Sequence, residues 1–375
     1  MPWQEVPTML LRQEFVMLAR GEEANHAALC RRYGISRKTG YKWLERSGAD
    51  GQRGLADESR RPRRSPTRTS EAVEQALLSL RDAHPAWGAR KLRRRLQDLG
   101  WSHPPAPSTV QAILARHGRL DPAESTKHQP WQRFEHERPN ALWQMDFKGH
   151  FVVGTVRCHP LTVLDDHSRF NLCLQACADE QGTTVQGRLT DTFRRYGLPQ
   201  RMAVDNGSPW GDTVDSPYTS LVAWLIRLGV GVSHSRPYHP QTLGKEERFH
   251  RTLKAEVLAR QTFPDLDAVQ GRFDRWRCVY NFERPHESLD MQPPAARYAP
   301  SPRSMPEQLP PIEYAPGDIV RRVQQGGFFS YRGRSLRISK AFAGYPVALR
   351  PTTSDGLLDL FFCHQKIAQI NLAVV

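Results

Sequence analysis

The sequence predicts a multidomain chain in three parts: an all-α N-terminal third, an α/β middle built on a mixed sheet, and a small all-β C-terminal segment. Three observations predict it. Up to about residue 118 the apolar residues recur at helical spacing between capping residues. From Leu142 to Ala176 the apolar runs shorten to strand length with turns between them, and helical and strand patterns then alternate to about Val257. From Asp318 to Val375 five or six short strand-like runs follow one another, the pattern of a small barrel. At 375 residues the chain exceeds one ordinary domain, and 39% hydrophobic with 25% charged residues is the composition of folded domains. The expected boundaries are 1–47, a linker over 48–69, 70–118, a connector over 119–139, 140–262, a helix with a proline-rich stretch over 263–316, and 317–375.

A net charge of +14 favours a polyanionic partner, because each phosphate neutralised releases counterions. Residues 1–139 hold 25 Lys and Arg against 16 Asp and Glu, nine of those fourteen charges, which places the main electrostatic footprint in the N-terminal third. No apolar run is long enough to span a membrane, and the first residues lack a signal peptide's apolar segment, so a soluble cytoplasmic, nucleoid-associated protein is expected. The six cysteines form no C-x-x-C pair and are expected as free thiols without zinc.

Three helices are expected over 9–46: Met9 to Arg20, Asn25 to Tyr33 with Asn25 as cap, and a third capped by Ser36 and running to about Arg46. Helix, Gly34-Ile35 turn and a helix opening S-R-K-T resembles a helix-turn-helix, whose last helix enters the major groove. Arg37, Lys38, Thr39, Tyr41 and Lys42 are then the candidate base and phosphate contacts. The basic, proline-broken run with Arg60, Arg61, Arg63 and Arg64 reads as a solvated tether or, between two DNA-binding modules, as an arm along phosphates or in a minor groove. A second helical set follows: Ser70 to Ala83, a helix opening at Trp87 and ending at Gly100, and one from Ser108 to His117.

In the middle segment strands are expected at Leu142–Phe147, Val152–Arg157, Leu161–Leu164, Phe170–Ala176, Met202–Asp205 and Val230–Ser235. Helices are expected at Gly182–Tyr196, Tyr218–Leu228 and after Gly244. Asp146 and Asp205 each lie at a strand end, where such sheets place their chemistry, and Asn206-Gly207 reads as a turn leaving Asp205 open. Glu247 stands at the start of a basic helix with Phe249, Leu253 and Val257 on its apolar face. Three converging carboxylates repel one another without a cation. Their hard oxygens suit Mg²⁺ or Mn²⁺, two of which, about 4 Å apart, activate a nucleophile and stabilise a leaving oxygen at a phosphodiester.

W-Q-M-D at 143–146, D-N-G-S at 205–208, H-P-Q-T-L-G-K-E-E-R-F-H-R-T-L-K at 239–254 and Y-N-F-E-R-P-H-E-S-L at 280–289 together resemble the integrase core of bacterial insertion-sequence DDE transposases, relatives of retroviral integrases. The resemblance covers 140–298 and implies an RNase H-like core that cleaves DNA at element ends and transfers the 3′ end to target DNA. It implies Asp146, Asp205 and Glu247 as the catalytic metal ligands, two Mg²⁺ or Mn²⁺ ions per active site, double-stranded DNA as partner, and a homomultimer (dimer or tetramer) joining two element ends. Lys245, Arg251 and Lys254 become candidate DNA contacts, and the C-terminal strands are similar to the SH3-like domains of integrases.

Two departures from the family pattern stand out: Leu243 where Asn is common, and a longer gap before the glutamate, assigned to a loop insertion at Trp210–Pro217. Helical angle does not separate Glu246 from Glu247 as third ligand; the motif favours Glu247. Asp165 to Arg169 reads as a turn, with a supporting role at the site as its alternative, and His234 and His239 as solvated loop residues, with a functional role as theirs. The rival functions are a silent DNA-binding regulator, against which the intact acids speak, and an RNase H-like nuclease, which needs no helix-turn-helix reader.

Overall fold

The computed structural model describes residues 8–58, 68–120, 135–211, 217–235, 244–354 and 356–372. The basic run at 60–64, His239, Leu243 and residues 212–216 of the expected insertion lie outside them. The chain divides into two units, Met1–Arg68 and Thr69–Val375.

In the first unit α1 (Thr8–Ala19), α2 (His26–Arg32) and α3 (Arg37–Asp50) enclose Phe15, Val16, Cys30 and Trp43, and a 3-10 turn, Gly51–Leu55, closes the core with Leu55. Both expected caps form: Asn25 accepts from the Ala28 N–H and Ser36 from the Thr39 N–H, each satisfying a donor the helix cannot. Helix α3 runs one turn beyond the expected end at Arg46. Gly40 is dictated by packing, since a Cβ there would lie 2.6 Å from Cys30 Sγ and 2.9 Å from Phe15 Cζ.

The second unit opens with α4 (Glu71–Ala83), α5 (Ala89–Asp98) and α6 (Pro107–Arg116) around Leu77, Trp87, Leu92, Leu96, Val110 and Ile113. Helix α6 starts one residue before the expected Ser108, with Pro107 in its first turn, where a missing N–H costs nothing. Ser70 precedes α4, but its side chain makes no capping bond. Arg95 reaches Glu283 at 2.5 Å and Arg90 reaches Glu287 at 3.8 Å, tying α5 to the segment that follows the core.

The middle sheet has strand order β2-β3-β1-β5-β6 with β4 on β3: β1 (Leu142–Phe147), β2 (Phe151–Val153), β3 (Val156–Asp165), β4 (Asn171–Cys177), β5 (Arg201–Val204) and β6 (Gly231–His234). Strand β1 runs antiparallel to β3 and parallel to β5, the mixed sheet expected. The expected single strand over 152–157 is instead a hairpin, because Gly154 turns the chain at φ +56° between β2 and β3. Side chains alternate across the sheet. Trp143, Met145, Leu161, Val163, Met202 and Val204 face a core closed by α7 (Gly182–Tyr196) and α8 (Ser220–Arg227). Cys158, Leu164 and Leu174 face Phe249 and Leu253 of α9 (Gly244–Glu256) and Phe273 and Trp276 of α10 (Leu266–Phe282). Between them on this second face stand the polar side chains of Gln144, Asp146 and Thr162.

Six strands follow the proline-rich stretch. β7 (Ile319–Arg322), β10 (Pro346–Pro351), β11 (Leu357–Phe362) and β12 (Gln365–Asn371) form an antiparallel sheet of four, and β8 (Phe328–Tyr331) with β9 (Arg334–Arg337) a hairpin. Their apolar side chains, among them Phe329 and Phe362, with Phe342 from the turn before β10, join the same core as Val222, Leu225 and Val232. Gln365 continues the sheet edge with its side chain, accepting from the Val232 N–H at 2.8 Å and donating to the Val232 carbonyl at 3.0 Å. The proline-rich stretch straps the α/β layer: the Arg303 guanidinium donates to the carbonyls of Pro199, Leu228 and Gly229.

Candidate active site and nucleic-acid interface

Strand register brings the two aspartates together. Gln144 pairs with Ala203 in the parallel β1–β5 ladder, so two residues further on Asp146 stands level with Asp205, on the same face. Thr162 pairs with Asp146 across β3. Helix α9 packs on β1 and β3 through Phe249 and Leu253 and brings its acidic first turn to this face.

Glu246 and Glu247 part at this surface. Glu246 is fully buried with Phe249 and Leu253, while Glu247 is exposed on the side of Lys254. Thr162 Oγ1 lies 2.9 Å from Glu246 Oε2, 2.8 Å from His250 Nε2 and 3.0 Å from the Asp146 carbonyl oxygen. Glu246 is thereby absorbed beneath the site, and burial pushes its carboxyl well above the usual range.

The electrostatics are those of crowded acids. Asp146 is pushed up to about 7, first by burial, then by the charge of Asp205, with Glu247 and Glu180 adding to it. Asp205 is raised by burial, against the Gly207 N–H that donates to its Oδ1 at 3.1 Å. That bond is the expected Asn206-Gly207 turn, and it leaves Asp205 partly open. Among the described residues no three Asp, Glu, His or Cys side chains already stand close enough together to hold an ion. His250, with Nδ1 3.9 Å from Asp146 Oδ2, is driven down to about 3 by burial and by Lys148, so it is neutral at physiological pH. Lys148 is itself lowered by burial and by the charge of Lys254, so these two cations lie near each other.

Several expected site residues fall elsewhere. Lys245 is not on the open basic surface: its ammonium pairs with the buried carboxylate of Asp166 and donates to the Asp166 carbonyl at 3.1 Å. Arg251 and Lys254 are exposed. Trp210 is no part of a surface loop; it is buried, with its ring 5.9 Å from that of Phe147. His234 Nε2 is 3.3 Å from the Trp210 carbonyl and is held below its ordinary pKa by burial, so it is not a solvated loop residue. The 165–169 turn is built from buried acids: Asp165 accepts from the N–H groups of Asn140 and Ser168 and from the Ser168 hydroxyl.

On the first unit Arg37, Lys38, Tyr41 and Lys42 are exposed along α3, and the Tyr41 ring stacks on His26 at 5.7 Å. Thr39 differs, since its hydroxyl lies 2.9 Å from Ser36 Oγ within the cap. Sequence reading missed Thr162, Glu180, His250 and Lys148, and gave Asp166 only a supporting role within its turn as an alternative. Only H-S-R and F-H-R beside recognised motifs hinted at two of those neighbourhoods.

Family models cover most of the chain. Residues 136–240 and 228–294 match two integrase core domains, and residues 318–374 match the C-terminal domain of IS481 family transposases. Residues 11–63 match a helix-turn-helix domain and 39–114 a homeodomain-like domain. The matched domains together are similar to those of insertion-sequence transposases with an integrase-like core. Over 250 residues the chain is 26% identical to the insertion element IS476 uncharacterized 39.2 kDa protein of Xanthomonas euvesicatoria, a match covering 64% of the chain and 69% of that protein. Over 213 residues it is 24% identical to the Gag-Pol polyprotein of Walleye dermal sarcoma virus, covering 55% of the chain and 11% of the polyprotein. A subunit of a simian T-cell lymphotropic virus intasome aligns with 78% of the chain at 16% identity and a TM-score of 0.38, below what establishes a common fold. The integrase-core domains place the chain among proteins of DNA transposition and integration, in the polynucleotidyl transferase class. No helix among the described residues is long and apolar enough to cross a membrane.

Proposed function

We propose that this chain cleaves DNA at the ends of its element and joins the freed 3′ ends to target DNA, with Asp146, Asp205 and Glu247 as the catalytic carboxylates. The observation that carries the reading is one of position: two aspartates level on adjacent parallel strands, and a helix whose exposed glutamate adds its charge to theirs. The donor set is all carboxylate oxygen, and a divalent cation offsets both the burial and the neighbouring acid charges that lift Asp146, so these residues fit Mg²⁺ or Mn²⁺, two per site. When bound, such ions activate the attacking oxygen and stabilise the leaving one.

The chain's own residues do the rest. Lys148 and Lys254 neutralise phosphate charge beside the scissile bond, and Arg251 extends that surface. Neutral His250 holds Thr162 and the Asp146 backbone in place rather than supplying a charge. Arg37, Lys38, Tyr41 and Lys42 read the element end in the major groove. A homomultimer follows from the need to hold two ends in one complex. The test is a strand-cleavage and strand-transfer assay on labelled end DNA with Mg²⁺ or Mn²⁺, comparing the intact protein with Glu247→Gln. Nicked and joined products that vanish in the variant while DNA binding persists support the reading. Binding without any metal-dependent product turns it into that of a DNA-binding regulator.

A further inference from the structure

We infer that Asp166 is a positioning residue that fixes the first turn of α9, and with it Glu247, against the carboxyl end of β1. Asp166 is 2% exposed in the turn after β3, and each of its acceptors is used. Oδ1 accepts from Gln144 Nε2 at 2.8 Å and Oδ2 from the His136 N–H at 2.9 Å. Its carboxylate pairs with the Lys245 ammonium, which also donates to its backbone carbonyl at 3.1 Å.

The two ends of this clamp have matching places in the chain. Gln144 precedes Asp146 by two residues on the same face of β1, and Lys245 precedes Glu247 by two residues in α9. Asp166 thus joins the strand that carries one carboxylate to the helix that carries another. Glu246 makes a second tie, to Thr162, the residue opposite Asp146. With Lys245 and Glu246 both fixed to the sheet, Glu247 is the acid left facing outward.

A buried ion pair is weak evidence for stability, because desolvation offsets most of its attraction; what such a pair supplies is register. Register matters here because a displacement of about 1 Å at a reacting site costs on the order of a hundredfold in rate. Arg169 and Arg297, both paired with Glu135, border the clamp but do not enter it. The inference rests on the reading of Glu247 given above.

The test uses the full chain with Asp166→Asn and Lys245→Met combined, so that neither partner is left as an uncompensated buried charge. Four quantities are read: the melting temperature, DNA affinity, the split of cleavage into kcat and KM, and Mn²⁺ affinity without DNA by electron paramagnetic resonance. The expected result is near-parental melting and DNA affinity, with kcat down and the Mn²⁺ Kd up by about tenfold each. A folded double variant with parental kcat and Mn²⁺ affinity overturns the inference. If the double variant does not fold, Gln144→Met breaks only the neutral arm. Weakening of Mn²⁺ by about threefold at unchanged melting then supports the clamp, and parental affinity overturns it. Glu247→Gln in the same Mn²⁺ measurement separates the two claims: parental affinity there removes the ligand assignment, and the inference with it, whatever the clamp variants show.

Discussion

Two groups of acids in the α/β layer are treated in opposite ways. Asp165 and Asp166 are buried and enclosed by donors: three for Asp165, and two donors with a lysine for Asp166. Asp146, Asp205 and Glu247 share a more open face where acid meets acid and the histidine at hand is neutral. The first group is finished by the protein itself; the second is left in need of positive charge. The contrast teaches where to look for chemistry: among acids that the surrounding structure could have satisfied and did not.

The largest effect should come from breaking the unsatisfied group. Asp205→Asn is expected to lower strand cleavage about a hundredfold or more, with DNA binding retained, in a single-turnover assay on end DNA. Next comes the satisfied group: Asp165→Ala strands three donors and should cost about 3 kcal/mol in urea unfolding, with loss of activity only through loss of fold. An equal effect of Asp165→Ala and Asp205→Asn on stability would erase the distinction.

These two predictions mark how far the sequence was legible. β1 and α7 were readable to the residue, because each is bounded by turn or capping residues and carries one clear period. The strand at 152–157 was misread because its apolar run continues through Gly154, whose turn is visible only as a backbone angle. Of the candidate acids, Asp146 and Asp205 were legible from strand ends and motif. The choice between Glu246 and Glu247 was not, since both angles point partly toward apolar neighbours and only the burial of Glu246 over Thr162 separates them. The clamp was illegible for a simpler reason: Asp166 finds Gln144 and Lys245 at separations of 22 and 79 residues, where no local pattern reaches.

A pH dependence sharpens the contrast. The folded-state pKa of Asp146 is about 7, above the ordinary carboxylate value of 3.8. The native state therefore binds the proton more tightly than the unfolded chain does. That stabilisation is complete below the unfolded pKa and is lost as pH rises through about 7. Metal-free protein should accordingly be more stable at pH 6 than at pH 8 by about 1 kcal/mol, and Asp146→Asn should flatten the profile; parallel denaturant melts at the two pH values decide it.

The smaller effects concern the margins. Lys254→Gln should weaken DNA binding evenly across sequences and reduce the salt slope by about one, read from binding isotherms at several salt concentrations. Glu246→Gln should shift stability by less than about 1 kcal/mol, since burial already favours the neutral acid and the amide keeps a partner in Thr162.

The account turns on which of two adjacent glutamates completes the site, and calorimetric titration of Mn²⁺ into the full chain answers it most directly. Glu247→Gln is predicted to lose most of the binding and Glu246→Gln to keep it. Binding that survives in Glu247→Gln and disappears in Glu246→Gln would contradict the account.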